Sequence, residues 1–225
     1  MIKLPVYFHF MDEEKTRSIY EDLLEKYGEP EEPDGMSGID YLIETILSQN
    51  TNDINRDKAF DNLKEKYGDE YESIENADRD ELIDTIRIAG LGPTKAERIQ
   101  EALRIVREDQ DEYDMDFLQD MSVENAKKWL TDIPGIGPKT ASVILCFHFG
   151  MPTFPVDTHV QRLSKRYGLV PENSSRTKTH DIMEEKVPDE IKYPFHILLI
   201  THGREECTAR QDDCGCELCE KYGSR

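Results

Sequence analysis

Apolar side chains recur along this chain at helical rather than strand intervals. In "DEEKTRSIYEDLLEKYG" the residues Ile19, Tyr20, Leu23, Leu24 and Tyr27 fall on one face of a 3.6-residue period, and Gly28 stops the segment. The Pro-, Gly- and acid-rich "EPEEPDGMSG" then reads as a connector. The same period predicts four further helices, in "IDYLIETILSQ", "INRDKAFDNLKEKYG", "DRDELIDTIRIAG" and "TKAERIQEALRIVRE". The third of these opens with Asp78 and Glu81 at capping-box spacing and closes at Gly90. After the acidic linker "EDQDEYDMD", helices are predicted over 123–131 and from Lys139 to Phe149. "GMPTFPVD" breaks the pattern, "THVQRLSKRYG" and "SRTKTHDIMEEKV" resume it, and "PFHILLITHG" leads into a cysteine-rich tail. No convincing alternating run and no repeat is present, so the expected fold class is all-α.

Composition narrows the setting. With 225 residues, 37% hydrophobic and 34% charged, the chain can build one substantial core or two small ones. Its most apolar windows, "ASVILCFHFG" and "FHILLITHG", are far shorter than a membrane span needs. The opening "MIKLPVYFHFMDEEK" has one Lys and then acids, unlike a signal peptide, which points to a cytoplasmic protein.

The formal net charge of -20 argues against a nucleic-acid partner, because phosphate contacts draw on Lys and Arg. The average conceals a local reversal. Residues 121–180 hold eight Lys and Arg against four Asp and Glu, a balance of +4 that leaves -24 on the other 165 residues. That split predicts a binding face on an acidic body, of the kind that suits a salt-rich cytoplasm. The Lys count of 15 against 13 Arg runs counter to the high-salt idea.

Within the cationic segment lies "DIPGIGPKTA". Pro134, Gly135, Gly137 and Pro138 allow a sharp turn between two helices, and bare glycines let backbone N–H groups approach a partner closely. Amides at the start of the second helix, Thr140 among them, would face an anion such as a DNA phosphate. The turn by itself reads equally well as an ordinary corner between helices.

Together with "VDTHVQRL" downstream, "IPGIGPKTA" resembles the helix-hairpin-helix DNA glycosylases, and among them the endonuclease III branch. There the motif reads LPGVGRKTA followed by VDTH, with lysine and aspartate eighteen apart, as Lys139 and Asp157 are here. "ILSQNTND" is similar to the family's ILSAQATD, "AGLGPTKAERI" to its GLYNSKAENI, and "LITHGREECTARQDDC" to its LILHGRYTCIARKPRC. These matches follow the family order over nearly the whole chain.

The resemblance implies a two-domain fold. A helical barrel over 36–151 would carry the hairpin at about 123–149. Residues 1–35 and 152–225 would form a second helical domain with a cysteine loop at 207–219, and duplex DNA would lie across the cleft between the two. It also implies base-excision repair by a monomer that acts on a damaged, oxidised pyrimidine flipped out of the duplex. Lys139 would be the amine that attacks the sugar's anomeric carbon, its neutral form favoured by the positive helix end. Asp157 would stabilise the oxocarbenium-like charge. Gln49 would fill the vacated space and Leu91 would wedge between bases of the opposite strand. Plainer readings stand beside these: a phosphate contact for Lys139, a helix N-cap for Asp157, a helix-end polar group for Gln49 and a core residue for Leu91.

Glu44, five residues before Gln49, stands where related adenine and mismatched-thymine glycosylases carry a catalytic glutamate, which makes a monofunctional mismatch glycosylase the alternative. A passive DNA-structure binder would need neither Lys139 nor Asp157.

Cys207, Cys214, Cys216 and Cys219 lie within thirteen residues, while Cys146 sits alone in an apolar helix as a buried structural thiol. Four cysteines so close argue for a metal centre over disulfides. In the family this place holds a [4Fe-4S] cluster on C-x6-C-x2-C-x5-C. Here the spacing is C-x6-C-x-C-x2-C, so the resemblance implies [4Fe-4S], with zinc as the alternative for the shorter loop.

Overall fold

The computed structural model describes residues 13–31, 35–209 and 214–223. Among these, every regular element is helical, as the periodicity requires. Contacts divide the chain into two compact units, Pro33–Met151 and Met1–Glu32 with Pro152–Arg225.

The first unit contains α2 (Gly38–Ser48), α3 (Asp53–Tyr67), α4 (Tyr71–Glu75), α5 (Arg79–Ile86), α6 (Gly92–Gln110), α7 (Val123–Asp132) and α8 (Pro138–Phe147). Helix α2 is apolar on most of its circumference and buries Ile39, Leu42, Ile43, Ile46 and Leu47, which makes it the centre of this core. Gly38 permits the approach, since a Cβ there would lie 3.0 Å from Met115 Cβ. Helix α6 packs Ala96, Ile99, Leu103 and Val106 into the same core.

Side chains accept hydrogen bonds from first-turn amides at several helix starts. Ser37 accepts from Asp40 N, Asn52 from Asn55 N, Ser122 from Asn125 N, and Asp78 from both Asp80 N and Glu81 N. Each such cap contributes about 1 kcal/mol. The predicted Asp78 start therefore holds, although the Glu81 carboxylate pairs with Lys66 at 2.6 Å.

The second unit contains α1 (Glu13–Tyr27), α9 (Thr158–Arg166), α10 (Arg176–Lys186), α11 (Lys192–Glu205) and α12 (Glu217–Tyr222). Ile19 and Leu23 of α1 join Val160, Leu163, Phe195 and Leu199 in a separate core. Helices α1 and α12 are clamped together. Lys221 Nζ and Tyr222 OH both donate to the Asp22 carboxylate at 2.7 Å, and Lys15 Nζ donates to the Tyr222 carbonyl at 3.3 Å.

Three expectations change. The helix read from Lys139 to Phe149 ends at Phe147. The acidic "linker" at 108–116 is partly helix α6, which runs to Gln110, and partly core, because Met115 is fully buried. Short helices at Tyr71–Glu75 and Glu217–Tyr222 had no counterpart in the periodicity.

Candidate functional site

The hairpin is built by alternation. Ile133 and Ile136 turn inward and are buried, with Ile136 N donating to the Ile133 carbonyl at 3.0 Å, while Pro134, Gly135 and Gly137 remain exposed. Gly135 has φ +88°, where a side chain is strained, and a Cβ would lie 2.5 Å from Arg98 Cδ. Gly137 differs. It caps α8 at φ -92°, an angle open to any residue, and a Cβ there would meet no atom within 4 Å.

No side chain caps α8, so its first amides, those of Lys139 and Thr140, point out of the helix end without an intrahelical acceptor. Lys139 is the second residue of the helix and is exposed, and among the described residues it has no ion pair. Thr140 is half-buried beside it.

Gln49 is the C-cap of α2, and its side chain reaches the hairpin, where Nε2 donates to the Gly135 carbonyl at 3.1 Å. Its Oε1 accepts from Arg98 Nη1 at 2.5 Å. Leu91 is not core. It is 55% exposed and holds φ +51°, a left-handed conformation unusual for leucine, at the N-cap of α6. The next residue after Gln49, Asn50, is also left-handed, at φ +54°. Backbone strain of this kind costs about 1–3 kcal/mol per residue and persists only where neighbours enforce it.

The enforcing group is Lys95, which the sequence reading did not single out. It is 1% exposed, and its ammonium donates to the Leu47 carbonyl at 2.7 Å and to the Ala89 carbonyl at 2.8 Å. Leu47 lies in the last turn of α2, where carbonyls lack helical donors, and Ala89 closes the turn before Leu91. One buried cation thus anchors both strained loops, and burial pulls its pKa below the ordinary lysine value. A signal was available, because Lys95 occupies a core position on the apolar stripe of α6.

Glu44 faces Arg56, with Nε 3.2 Å from its carboxylate, and both side chains are partly buried. Cys146 is buried in α8, as expected.

Asp157 belongs to the second unit. Its carboxylate caps α9, accepting from Val160 N at 2.8 Å, and the residue is half-buried. The helix it starts is fastened to the cysteine segment. Arg162 Nη2 donates to the carbonyls of Gly203 and Cys207, both at 2.8 Å, and Arg166 Nη1 lies 2.9 Å from Cys207 Sγ. Gly203 allows this approach, since a Cβ would lie 2.9 Å from His159 Nδ1.

The four cysteines converge, with all sulfurs within 4.8 Å of one another. Cys214 lies 3.0 Å from Cys219 and 3.2 Å from Cys216, and Cys207 lies 3.4 Å from Cys214. Around them, buried His202 places Nε2 3.5 Å from Cys216 Sγ and holds Tyr27 OH on Nδ1 at 2.7 Å. Burial works against the Cys214 thiolate, yet hydrogen bonding from Cys219 and Cys216 brings its pKa down to about 7.

Four converging cysteine sulfurs are a donor set compatible with a [4Fe-4S] cluster and with zinc, either of which would bind them as thiolates. A single tetrahedral ion with bonds of about 2.3 Å spaces its thiolates about 3.8 Å apart, close to the separations seen. A cubane binds each thiolate to its own iron and needs the four to open outward from these positions. Among the described residues the phenol of fully buried Tyr167 has no hydrogen-bond partner.

Of the residues singled out in sequence, Gln49 and Gly135 are thus in direct contact, while Lys139 and Asp157 belong to different units. No helix among the described residues is long and apolar enough to cross a membrane.

Comparison with known proteins gives this arrangement its context. The family model of HhH-GPD superfamily base excision DNA repair proteins matches residues 43–189, a stretch that takes in Gln49, Leu91, the hairpin and Asp157. A protein of Arabidopsis thaliana that carries the name of a DNA glycosylase is 37% identical over 75% of this chain, which spans 57% of that protein's length. Endonuclease III of Sulfolobus acidocaldarius is 34% identical over 77% of this chain and 75% of its own. The solved structure of a trapped endonuclease III-DNA covalent intermediate has a TM-score of 0.74 at 28% identity, covering 92% of this chain and 94% of that one. The family match runs over more than half of the chain and the fold agrees, so the chain belongs to the HhH-GPD superfamily of base excision DNA repair proteins and is an endonuclease III-like DNA glycosylase.

Proposed function

We propose that the protein is a bifunctional enzyme that removes damaged, oxidised pyrimidines from duplex DNA and then cleaves the strand at the resulting abasic site. The observation that carries this reading is the placement of Lys139, an exposed amine without an ion pair among the described residues, two residues after a glycine that neither backbone angle nor internal crowding demands. A bare Gly137 makes sense if a partner outside the chain must come close to the backbone. The uncapped amides of Lys139 and Thr140, with the turn of Pro134 and Gly135, suit a DNA phosphate as that partner.

In the chemistry that follows, the Lys139 amine attacks the anomeric carbon, the bond to the base breaks, and the sugar ring opens to a Schiff base. Loss of a proton from the adjacent sugar carbon expels the 3′-phosphate, and water then releases the lysine. Asp157 supplies the negative charge that stabilises the cationic sugar and carries protons in these steps. Gln49 occupies the space left by the flipped base and Leu91 separates bases of the opposite strand. The exposure of Leu91 in a strained conformation supports this over a core role. The cysteine centre serves structurally by holding α9, which Asp157 begins.

The reading is tested by borohydride trapping on a duplex with one abasic site. A covalent protein-DNA band should form with the native chain and disappear in Lys139→Gln. Absence of a band from protein that still binds the duplex would move the function to a monofunctional glycosylase centred on Glu44 and Asp157.

A further inference from the structure

The contact between Gln49 and the hairpin has a feature that neither motif contains. Gln49 is held by two groups of opposite hydrogen-bonding character, the Arg98 guanidinium and the Gly135 carbonyl. A guanidinium only donates and a carbonyl only accepts. The amide can therefore satisfy both in one orientation alone, with Oε1 toward Arg98 and Nε2 toward the turn. A flip would set N–H against N–H and oxygen against oxygen.

Arg98 is also fixed from below. Its Cδ and Cζ lie 2.5 and 2.8 Å from the position a Cβ on residue 135 would take, so the side chain lies in the space that glycine leaves open. The other side of this region opens into a cleft of about 760 Å³ whose lining includes Glu97, Glu101, Arg104 and Pro134. Helix α6, the end of α2 and the hairpin meet at this one side chain.

We infer that Arg98 is a positioning residue that locks the Gln49 amide to the hairpin before DNA arrives, so that the plug and the phosphate-holding turn move as one body. This rests on the proposed function, since it presumes that Gln49 fills the space of a flipped base. An unclamped glutamine has several rotamers and two amide orientations to lose on binding. Clamped, it presents one remaining N–H and one remaining lone pair in fixed directions to the base left without its partner.

The test uses the full chain and two duplexes, one intact and one with an abasic site opposite 2-aminopurine. Arg98→Met keeps the stem over Gly135 and removes the donors; Arg98→Lys restores a cationic donor without the planar fork. Affinity for the abasic duplex should fall about tenfold in Arg98→Met and in Gln49→Ala, with Arg98→Lys between them and the native chain. The fall in the double variant should stay near that of either single one, because both remove the same contact. The 2-aminopurine signal, which reports how the opposite base is stacked, should shift in step, while affinity for the intact duplex should not.

Full affinity in Arg98→Met, or losses that multiply in the double variant, would overturn the clamp. Failure of the underlying function shows elsewhere, as a native chain that does not prefer the abasic duplex or is not trapped on it. Thermal melts of each variant guard against unfolding, and a loss in Arg98→Met that tracks melting temperature and strikes both duplexes equally also counts against the clamp.

Discussion

Replacing Lys95 by methionine keeps the apolar stem and deletes the ammonium that ties the Leu47 and Ala89 carbonyls together. Each hydrogen bond from a charged donor contributes about 1.5–3 kcal/mol, and two carbonyls would be left buried without a partner. Against this stands the cost of having buried the charge, which the variant no longer bears. The net loss should be about 3 kcal/mol, equivalent to a fall of roughly 6–12 °C in melting temperature for a chain of this size.

The damage should be local as well as global. Both carbonyls stand two residues before a residue of the proposed DNA site, Leu47 before Gln49 and Ala89 before Leu91. Amide hydrogen exchange should therefore rise first around 47–51 and 87–92, and affinity for an abasic duplex should fall even at temperatures where the variant is folded.

The sign of the pH dependence is also fixed. Burial lowers the native pKa of Lys95 below 10.5, so between that value and 10.5 the unfolded chain binds more protons than the native one. Stability contributed by the site then grows with pH, since a neutral amine still donates to both carbonyls without the burial cost of the charge. The deficit of Lys95→Met should widen in that window. A variant that melts within about 1 °C of the native chain, with unchanged exchange in both loops, would refute the anchoring role.

Two further outcomes follow from the same geometry. Arg107 holds the Glu75 carboxylate in a two-pronged hydrogen bond, Tyr113 OH adds a third at 2.7 Å, and the carboxyl pKa sits below 4.5 as a result. A depressed acid contributes stability that is full above its unfolded value and lost as pH falls through its native one. Glu75→Gln should thus lower the melting temperature most above the unfolded value of 4.5, and the gap should narrow as pH falls below it; a gap of constant size across that range would remove the assignment. On the reading that the four cysteines hold a metal centre, Cys216→Ser should lower the iron and sulfide, or zinc, content of the purified protein relative to the native chain. Hydrogen exchange of α9 should rise with it, because Arg162 and Arg166 lose a fixed partner in Cys207. Metal lost with α9 exchange unchanged would contradict the structural role.

What could be read in the sequence was what repeats or what punctuates. Helix α6 announces itself through Ala96, Ile99, Leu103 and Val106, and α5 through the cap at Asp78. Helix α4 could not be seen, since five residues with only Ile74 buried are too short to show a period. Met115 and Leu118 were hidden for another reason: acids surround them, yet tertiary packing takes both out of water. The hairpin and the cysteines were legible because Gly, Pro and Cys each carry a distinct physical demand. Arg98 was not, because its partners are 49 and 37 positions away and meet it only where α2, α6 and the hairpin come together. Lys95 lies between these cases, visible as a charge in an apolar stripe but without any hint of which carbonyls it would find.

The charge arithmetic also changes once side chains have partners. Residues 121–180 carry +4, yet two of their eight cations, Arg162 and Arg166, are engaged with Gly203, Cys207 and Thr208 and serve the cysteine segment. The six others stand against the -24 of the rest of the chain, so a DNA grip built on side-chain cations alone is outweighed. On the proposed reading the hairpin resolves this, because the amides of Lys139 and Thr140 present partial positive charge without adding net charge. Such dipoles act at hydrogen-bond distance, where fixed orientation counts for more than the average field of an acidic surface. On that reading the placement of the turn, and the Gln49, Arg98 and Lys95 contacts that fix its surroundings, contribute to binding in a way that the chain's overall charge does not oppose.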